Sequence, residues 1–347
     1  MTLELSTITF TDQDDIVPAL GMEETRISHT AGIEIDTGDG NDLIIGISEE
    51  IGDAIFISGY PSIALSSLNT GGGNDTIIGT SIDTGININS LASLDTGTGE
   101  DIIIGNGSYG IANYYLFNTD DGNDIVIGTG RRNGYGIVNG GFMDTGDGND
   151  TITGTTTTGY GINNSNTLTT GEGEDIITGI GDIGISNRQN TINPGNGNDS
   201  IIAYGGSRDA IYNEGIINTG NGNDSIIAYG GSMGAIYNEG IINTGNGNDS
   251  IIANEGFSSN RSSTGRVFLE NGLDYLEGFG NGNFYGGDGN DTLKLTSGSY
   301  TVGIWDTSVI FTKGNQFMIT SEFEKLIAGS TIYDFTSLTN GQTIIVP

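Results

Sequence analysis

Ten aspartates follow the same short turn along this chain: Asp42, Asp75, Asp101, Asp124, Asp150, Asp175, Asp199, Asp224, Asp249 and Asp274. Asp291 closes one further copy, GGDGND, at Gly286–Asp291. The turn reads Thr-Gly-x-Gly-Asn/Glu-Asp, as at Thr37–Asp42, Thr96–Asp101 and Thr219–Asp224. It holds two glycines: Gly38 and Gly40, Gly71 and Gly73, Gly97 and Gly99, Gly146 and Gly148, Gly195 and Gly197, Gly220 and Gly222, Gly245 and Gly247. Glycine reaches backbone angles closed to other residues, so carbonyl oxygens can point into the turn. The aspartate adds a carboxylate. Hard oxygen donors without nitrogen or sulfur suit calcium, which accepts about six to eight of them in flexible geometry. Magnesium demands a stricter octahedron and keeps its waters. One turn supplies too few ligands. Two turns stacked one coil apart could surround an ion between them, so the chemistry requires the repeat.

The repeat is most legible at Gly195–Asp249. Gly195–Thr219 reads GNGNDSIIAYGGSRDAIYNEGIINT, and Gly220–Thr244 repeats it except that Met233-Gly234 replaces Arg208-Asp209. The period there is 25 residues, and most steps between register aspartates are 23 to 26. The first step, Asp42 to Asp75, is 33, which places an insertion at Glu49–Pro61. Periodic self-similarity of this length marks a solenoid.

Three apolar columns follow from the register. One holds Ile44, Ile77, Ile103, Val126, Ile152 and their successors, two residues after each aspartate. Another holds Ile35, Leu68, Leu94, Phe117, Met143 and their successors, seven residues before. A mid-repeat Gly/Ala-Ile-x-Asn unit supplies Ile111, Ile137, Ile162, Ile185, Ile211 and Ile236. Short β-branched runs between Gly/Asn turns are strands, and stacking at ~4.8 Å gives them a common interior. Asn113, Asn139, Asn164, Asn187, Asn213 and Asn238 form a column expected to hydrogen-bond along the stack. The arc from register aspartate to that asparagine varies in length, and the copies differ there, at Arg208-Asp209. It is where a contact with a partner is expected. Residues 1–30 read as an N-terminal cap, with an acidic turn at Asp12–Asp15. Residues 31–295 are the repeats. Residues 296–347 read as a β-meander and C-terminal cap. The fold class is all-β: a parallel β-helix or β-roll solenoid with coils of ~25 residues and one calcium turn each.

Composition narrows the function. The net charge is −34, but the carboxylates arrive singly at intervals, as a periodic cation site requires. Ten Lys plus Arg, with no lysine before Lys294, oppose nucleic-acid binding. There is no cysteine and one histidine, His29, so thiolate and imidazole metal sites are set aside. The first residues lack the basic start and apolar run of a Sec-type signal, and no apolar stretch is long enough to span a membrane.

The turns resemble the RTX, or haemolysin-type, calcium-binding repeat, and GGDGNDTLK at Gly286–Lys294 fits its nonapeptide in full. The resemblance runs from Asp36 to Lys294 and implies that the register aspartates and both glycines of each turn are calcium ligands. It also implies a right-handed solenoid, folding on calcium outside the cell. This chain departs from the family in its 25-residue period, in Asp120 at a glycine position, and in the turn before Asp274, where Glu270 replaces glycine. That last turn is left out of the expected ligand set. Residues 296–347 resemble the C-terminal region of RTX proteins exported by type I secretion.

The expected function is therefore a secreted, non-enzymatic calcium-binding solenoid with a structural, matrix or adhesion role, its partners being calcium and a cell-surface polysaccharide or matrix. Two alternatives stand beside it. A polysaccharide-modifying enzyme would need a carboxylate pair; the off-ladder acids are Glu49, Glu50, Asp209, Glu214 and Glu239, and Tyr109, Tyr135 and Tyr160 beside Arg131 and Arg132 could form a sugar platform. An ice-binding or adhesin segment would present flat arrays from the turn. The asparagines of such an array are there (Asn41, Asn74, Asn123, Asn149, Asn198, Asn223, Asn248), but its threonine position varies: Asp39, Gly72, Thr98, Asp121, Asp147, Glu172, Asn196.

Overall fold

Each register aspartate starts a strand in which inward and outward residues alternate strictly. Leu43–Ser48, Thr76–Ser81, Thr151–Thr156 and Ile176–Gly181 are such strands, and their second residues are buried isoleucines. Ile and Thr suit this role because their branched side chains are stiff and pack well on a pleated surface. In the computed structural model, which describes residues 2–17, 26–29, 34–49, 51–59, 65–231, 234–259 and 265–347, these strands stack in parallel as the first face of a β-solenoid. The register is residue for residue: Leu43 pairs with Thr76, Thr76 with Ile102, Ile102 with Ile125 and Ile125 with Thr151.

A second face is built on the mid-repeat isoleucines. Ile55, Ile86, Ile111, Ile137, Ile162, Ile185, Ile211 and Ile236 stack on one another, and Phe257 closes the column. Ile102–Asn113 and Ile125–Asn139 run without a break from the first face into the second. The third face carries Ile35, Leu68, Leu94, Phe117, Met143 and Leu168, again in parallel register. The three columns meet in one buried core that runs the length of the stack. Burying each of these side chains contributes about 1.5–3 kcal/mol.

The corner between the second and third faces is held by the asparagine column. The Nδ2 of Asn139 donates to Oδ1 of Asn164 at 2.9 Å and to the Thr167 carbonyl at 2.7 Å. Asn164 makes the equivalent bonds to Asn187 and Thr191, both at 3.0 Å. These amides are fully buried, so each must be paired. This side of the coil is nearly constant in length, with 11 or 12 residues from asparagine to the next register aspartate, and Asn187, which has the longer arc, still bonds to Asn213 at 2.9 Å.

Both ends of the chain continue the ladder further than the repeat pattern suggests. Ile16–Val17 pairs in parallel with Leu43–Ile44, and Arg26–His29 with Ile55–Ile57. The described N-terminal strands thus extend the first and second faces by one step. At the other end, Gly298–Trp305, Ser308–Lys313 and Gln316–Ser321 form the expected antiparallel meander. Gln316–Ser321 and Lys325–Ala328 then rejoin the parallel stack on the third and first faces. The Glu49–Pro61 insertion is described only in part: Glu50, Tyr60 and Pro61 lie outside the described residues, as does Met233.

Replacing Asn164 with Ala removes one acceptor and one donor from this column. We expect a loss of about 1–3 kcal/mol for each polar group left unpaired, read as a lowered thermal midpoint. Asn163→Ala, on the outward side of the same strand, should leave the midpoint nearly unchanged.

Candidate metal ladder

The turn that precedes each first-face strand places the register aspartate under its own strand, where water cannot reach it. Asp101 and Asp291 are fully buried, and every other register aspartate is at most 2% exposed. One carboxylate oxygen, Oδ1, is committed to the backbone. The N–H of Asp124 donates to Oδ1 of Asp150 at 2.8 Å, and the N–H of Asp150 to Oδ1 of Asp175 at 2.7 Å. The series is unbroken from Asp15, which donates to Asp42, to Asp291, which donates to Glu324, both at 2.7 Å.

The other oxygen is the chemically active one. In Asp75, Asp101, Asp124, Asp150, Asp199, Asp224, Asp249, Asp274 and Asp291, Oδ2 is buried without a hydrogen-bond partner. The threonine that opens the turn lies beside it. Thr170 donates to Oδ2 of Asp175 at 2.6 Å, and Thr37 donates to Oδ2 of Asp42. Elsewhere the hydroxyl also reaches the carbonyl of the threonine one coil on, as Thr119 does to Thr145 at 3.0 Å and Thr219 to Thr244 at 3.1 Å. The hydroxyls of Thr96 and Thr145 have no hydrogen-bond partner.

Backbone oxygens complete the donor set, and in several turns the two glycines, alike in sequence, are placed differently. At the first position the carbonyls of Gly71, Gly220 and Gly245 already accept backbone N–H groups, from Thr98 at 3.1 Å, Asn246 at 3.1 Å and Asn271 at 3.3 Å. At the second position no backbone N–H donates to the carbonyls of Gly40, Gly73, Gly99, Gly148, Gly197, Gly222 or Gly247 among the described residues. Gly73, Gly222 and Gly247 are therefore the uncommitted backbone oxygens of the turns in which Gly71, Gly220 and Gly245 are tied into the stack. The N–H of Gly148 donates to the Glu172 carbonyl at 2.8 Å, which fixes the coil-to-coil spacing. Glycine is required at the second position for two reasons. Gly148 has φ of 150°, and a Cβ on it would stand 1.5 Å from the Gly122 carbonyl oxygen. Gly73, Gly99 and Gly247 meet the carbonyl oxygens of Gly40, Gly73 and Gly222 in the same way, at 2.0, 1.8 and 1.6 Å from a Cβ. Asp120 and Glu270, which replace the first glycine, take the same left-handed conformation, with φ of 56° and 70°. The left-handed backbone of the first position is therefore preserved at both departures from the pattern.

Burial governs the electrostatics. Desolvation pushes Asp101, Asp150, Asp199 and Asp274 up to about 7, and Asp75, Asp124, Asp249 and Asp291 up to about 6, with the neighbouring carboxylates contributing in the same direction for most of them. Asp42, Asp175 and Asp224 are raised for the same first cause. A buried, unpaired carboxylate oxygen is costly unless a proton or a cation satisfies it. Among the described residues no three acidic or histidine side chains converge, so carboxylates alone make no site. A cation here would draw on one carboxylate oxygen, a threonine hydroxyl and backbone carbonyls from successive coils. That all-oxygen set fits calcium.

Several further residues fall differently from the sequence-based expectation. Asp274, omitted from the expected ligands, is buried with an orphaned Oδ2 like the rest. Asp15 and Glu324 occupy register positions at the two ends. Their signals are present in the pattern: Asp15 precedes Ile16-Val17, and Glu324 precedes Lys-Leu-Ile-Ala. Neither turn carries the two glycines, which hides them. The threonine hydroxyls recur with the turn but are not among the expected ligands.

The off-ladder residues pack and bond among themselves. Tyr109, Tyr135 and Tyr160 stack with centroids 5.2 Å apart, so their ring faces cover one another. The cation over Tyr160 is Arg188, 5.7 Å from its centroid and equally far from that of Tyr212, instead of the expected Arg131 or Arg132. Glu214 accepts from the Tyr212 hydroxyl at 2.6 Å. Asp209 is buried, and Oδ1 accepts from the Ser258 hydroxyl at 2.9 Å across two coils. Gly234 stands between them, and a Cβ there would lie 3.0 Å from that of Ser258. The difference between the duplicated coils is thus a packing exchange: an aspartate in one coil reaches over a glycine in the next.

No protein-family model and no curated protein matches the chain. Among solved structures it is similar to a hyperactive, Ca2+-dependent, β-helical antifreeze protein from an Antarctic bacterium, with a TM-score of 0.52 and 16% identity over 96% of this chain and 100% of that one. At that identity the likeness establishes the fold, a parallel β-solenoid.

The raised carboxylates predict an inverted pH profile. Their folded-state values lie above the unfolded value of 3.8, so the folded chain holds more protons and loses stability as pH rises through 4 to 7. In chelator, the thermal midpoint should therefore climb as the pH is lowered from 8 towards 5. Saturating calcium competes with those protons, so the slope should flatten or reverse. Circular-dichroism melts across that range, with and without calcium, check both arms.

Proposed function

We propose that this protein is a calcium-dependent β-solenoid without enzymatic activity, which completes its folding when cations satisfy the buried carboxylate column, and which serves outside the cell as a rigid structural or adhesive rod. The observation that carries this reading is the file of orphaned Oδ2 atoms, repeated at nearly every coil. A catalytic group would occur once; this one recurs with the period of the core. The Ca2+ dependence of the structurally similar antifreeze protein points the same way.

Calcium, when bound, supplies positive charge that neutralises stacked carboxylates and links consecutive coils. The chain's residues do the rest. Asp Oδ1 positions each turn through the neighbouring N–H, which leaves Oδ2 aimed inward. The threonines set a hydroxyl beside it, and the glycines permit the close coil spacing that keeps water out. Because binding and folding share one free energy, metal affinity becomes stability. Export by a C-terminal type I signal within 296–347 belongs to the same reading, as does a polysaccharide of the cell surface as partner.

A second reading, ice binding, is favoured by a specific observation: the strands of the first face stack without register shift, so the outer surface is periodic, and the solved structure it resembles is an antifreeze protein.

Two measurements test the main reading. Titrating calcium into chelated protein should sharpen the β signal in circular dichroism and contract the hydrodynamic radius; no change in either would sink it. Asp150→Asn keeps the backbone acceptor but removes the charge mid-column. It should lower the number of bound calcium ions and reduce the calcium-induced rise in thermal midpoint, while raising stability in chelator.

A further inference from the structure

The first face carries an arrangement that the metal ladder does not use. Its outward residues are the first, third and fifth after each register aspartate. From Leu43 to Asn254 none of these positions is charged, on a chain of net charge −34. Most are Ile or Thr, such as Ile127, Thr153 and Thr178. Successive strands pair without a shift throughout this segment. Side chains therefore stand ~4.8 Å apart along the axis and about 6.6 Å apart across it, in a regular array of roughly 38 by 13 Å. Charge returns only beyond it, where Lys294 meets Glu277 at 2.9 Å.

The calcium turn presents a different surface. Its outer column is mixed at first, with Asp39, Gly72 and Thr98, and then acidic, with Asp121, Asp147 and Glu172. It then becomes an amide ladder whose groups bond one another, as Asn196 does to Glu172 at 2.6 Å and Asn246 to Asn221 at 2.7 Å. Those donors are spent within the protein.

We propose that the first face, and not the calcium turn, is the surface that meets ice. This rests on the ice-binding reading above. An uncharged face selects an uncharged partner; a second copy of this chain would bring the same uncharged face, so the area decides against it. The array offers only about 500 Å², below the ~800 Å² per partner of a stable protein interface. A neutral polysaccharide would lose water hydrogen bonds over the isoleucines without replacements, which is costly. Ice is flat, neutral and periodic. Methyl groups restrict the water beside them, and the threonine hydroxyls can bond to that ordered layer.

The test is thermal hysteresis of the full chain in calcium. Thr153→Tyr with Thr178→Tyr raises a step in the face while keeping β propensity, and Asn221→Tyr raises a similar step on the turn. Circular-dichroism melts in calcium confirm that each variant folds. The expected result is activity in the unaltered chain, a fall of roughly tenfold or more in the double variant, and little change in Asn221→Tyr. The reverse pattern overturns the face assignment and leaves ice binding intact. No hysteresis in the unaltered chain overturns both. Face-dependent retention on crystalline cellulose without hysteresis does so as well, and identifies a polysaccharide instead.

Discussion

One hydrogen bond, repeated, governs this molecule: a backbone N–H of one aspartate donates to the carboxylate of the aspartate one coil further on. It uses a charged acceptor, which makes it stronger than a neutral pair. It also forces the carboxylate to be buried, because the donor sits beneath a strand. Everything else in the turn follows from that placement. The glycines let the coils come close enough, the threonines approach the second oxygen, and that oxygen is left needing a cation or a proton.

The core and the ladder depend on each other. Isoleucines two residues beyond each aspartate anchor the strand that shields the carboxylate. The carboxylate in turn sets the register that aligns those isoleucines. A solenoid built this way has nearest-neighbour energetics, with each coil stabilised by the coils on either side. A large negative charge is compatible with such a fold only if the stacked charges are neutralised locally. Each stacked carboxylate then needs a proton or a cation, and the proposed coupling of metal to folding rests on that need.

Much of this is legible in the residues. The period, the three apolar columns and the asparagine column can be read directly, because a repeated pattern averages out local ambiguity. Residues that break the pattern are harder. Glu270 looks like the sign of a failed site, yet it adopts the left-handed backbone itself and Asp274 is placed normally. The two glycines of a turn look equivalent, but only the stacking of coils decides which carbonyl is spent on a neighbour, as at Gly245, and which is left over, as at Gly247. Asp15 and Glu324 lack the flanking glycines, and their role depends on pairing with coils 27 and 33 residues away. The cation over the tyrosine column is Arg188, more than one coil removed from Arg131, since adjacency around a solenoid is set by stacking and not by sequence. The Asp209–Ser258 contact spans two coils and has no sequence signal at all.

The ladder bond has a direction. Every acceptor lies on the C-terminal side of its donor, so the stack has an open end that presents N–H groups and another that presents carboxylates. Asp291 is closed by Glu324, whose longer side chain comes from a coil bound into the antiparallel meander. At the opposite end, the carboxylate of Asp15 turns back onto the N–H of Thr11 and closes locally. Each coil thus owes its turn to the one that follows it in the chain. Counted from the N-terminus, every coil lacks its acceptor until the next is in place, so any shortened stack is incomplete by one. The segment that ends this dependence is Gln316–Ala328, which makes the meander a molecular stop as well as a cap.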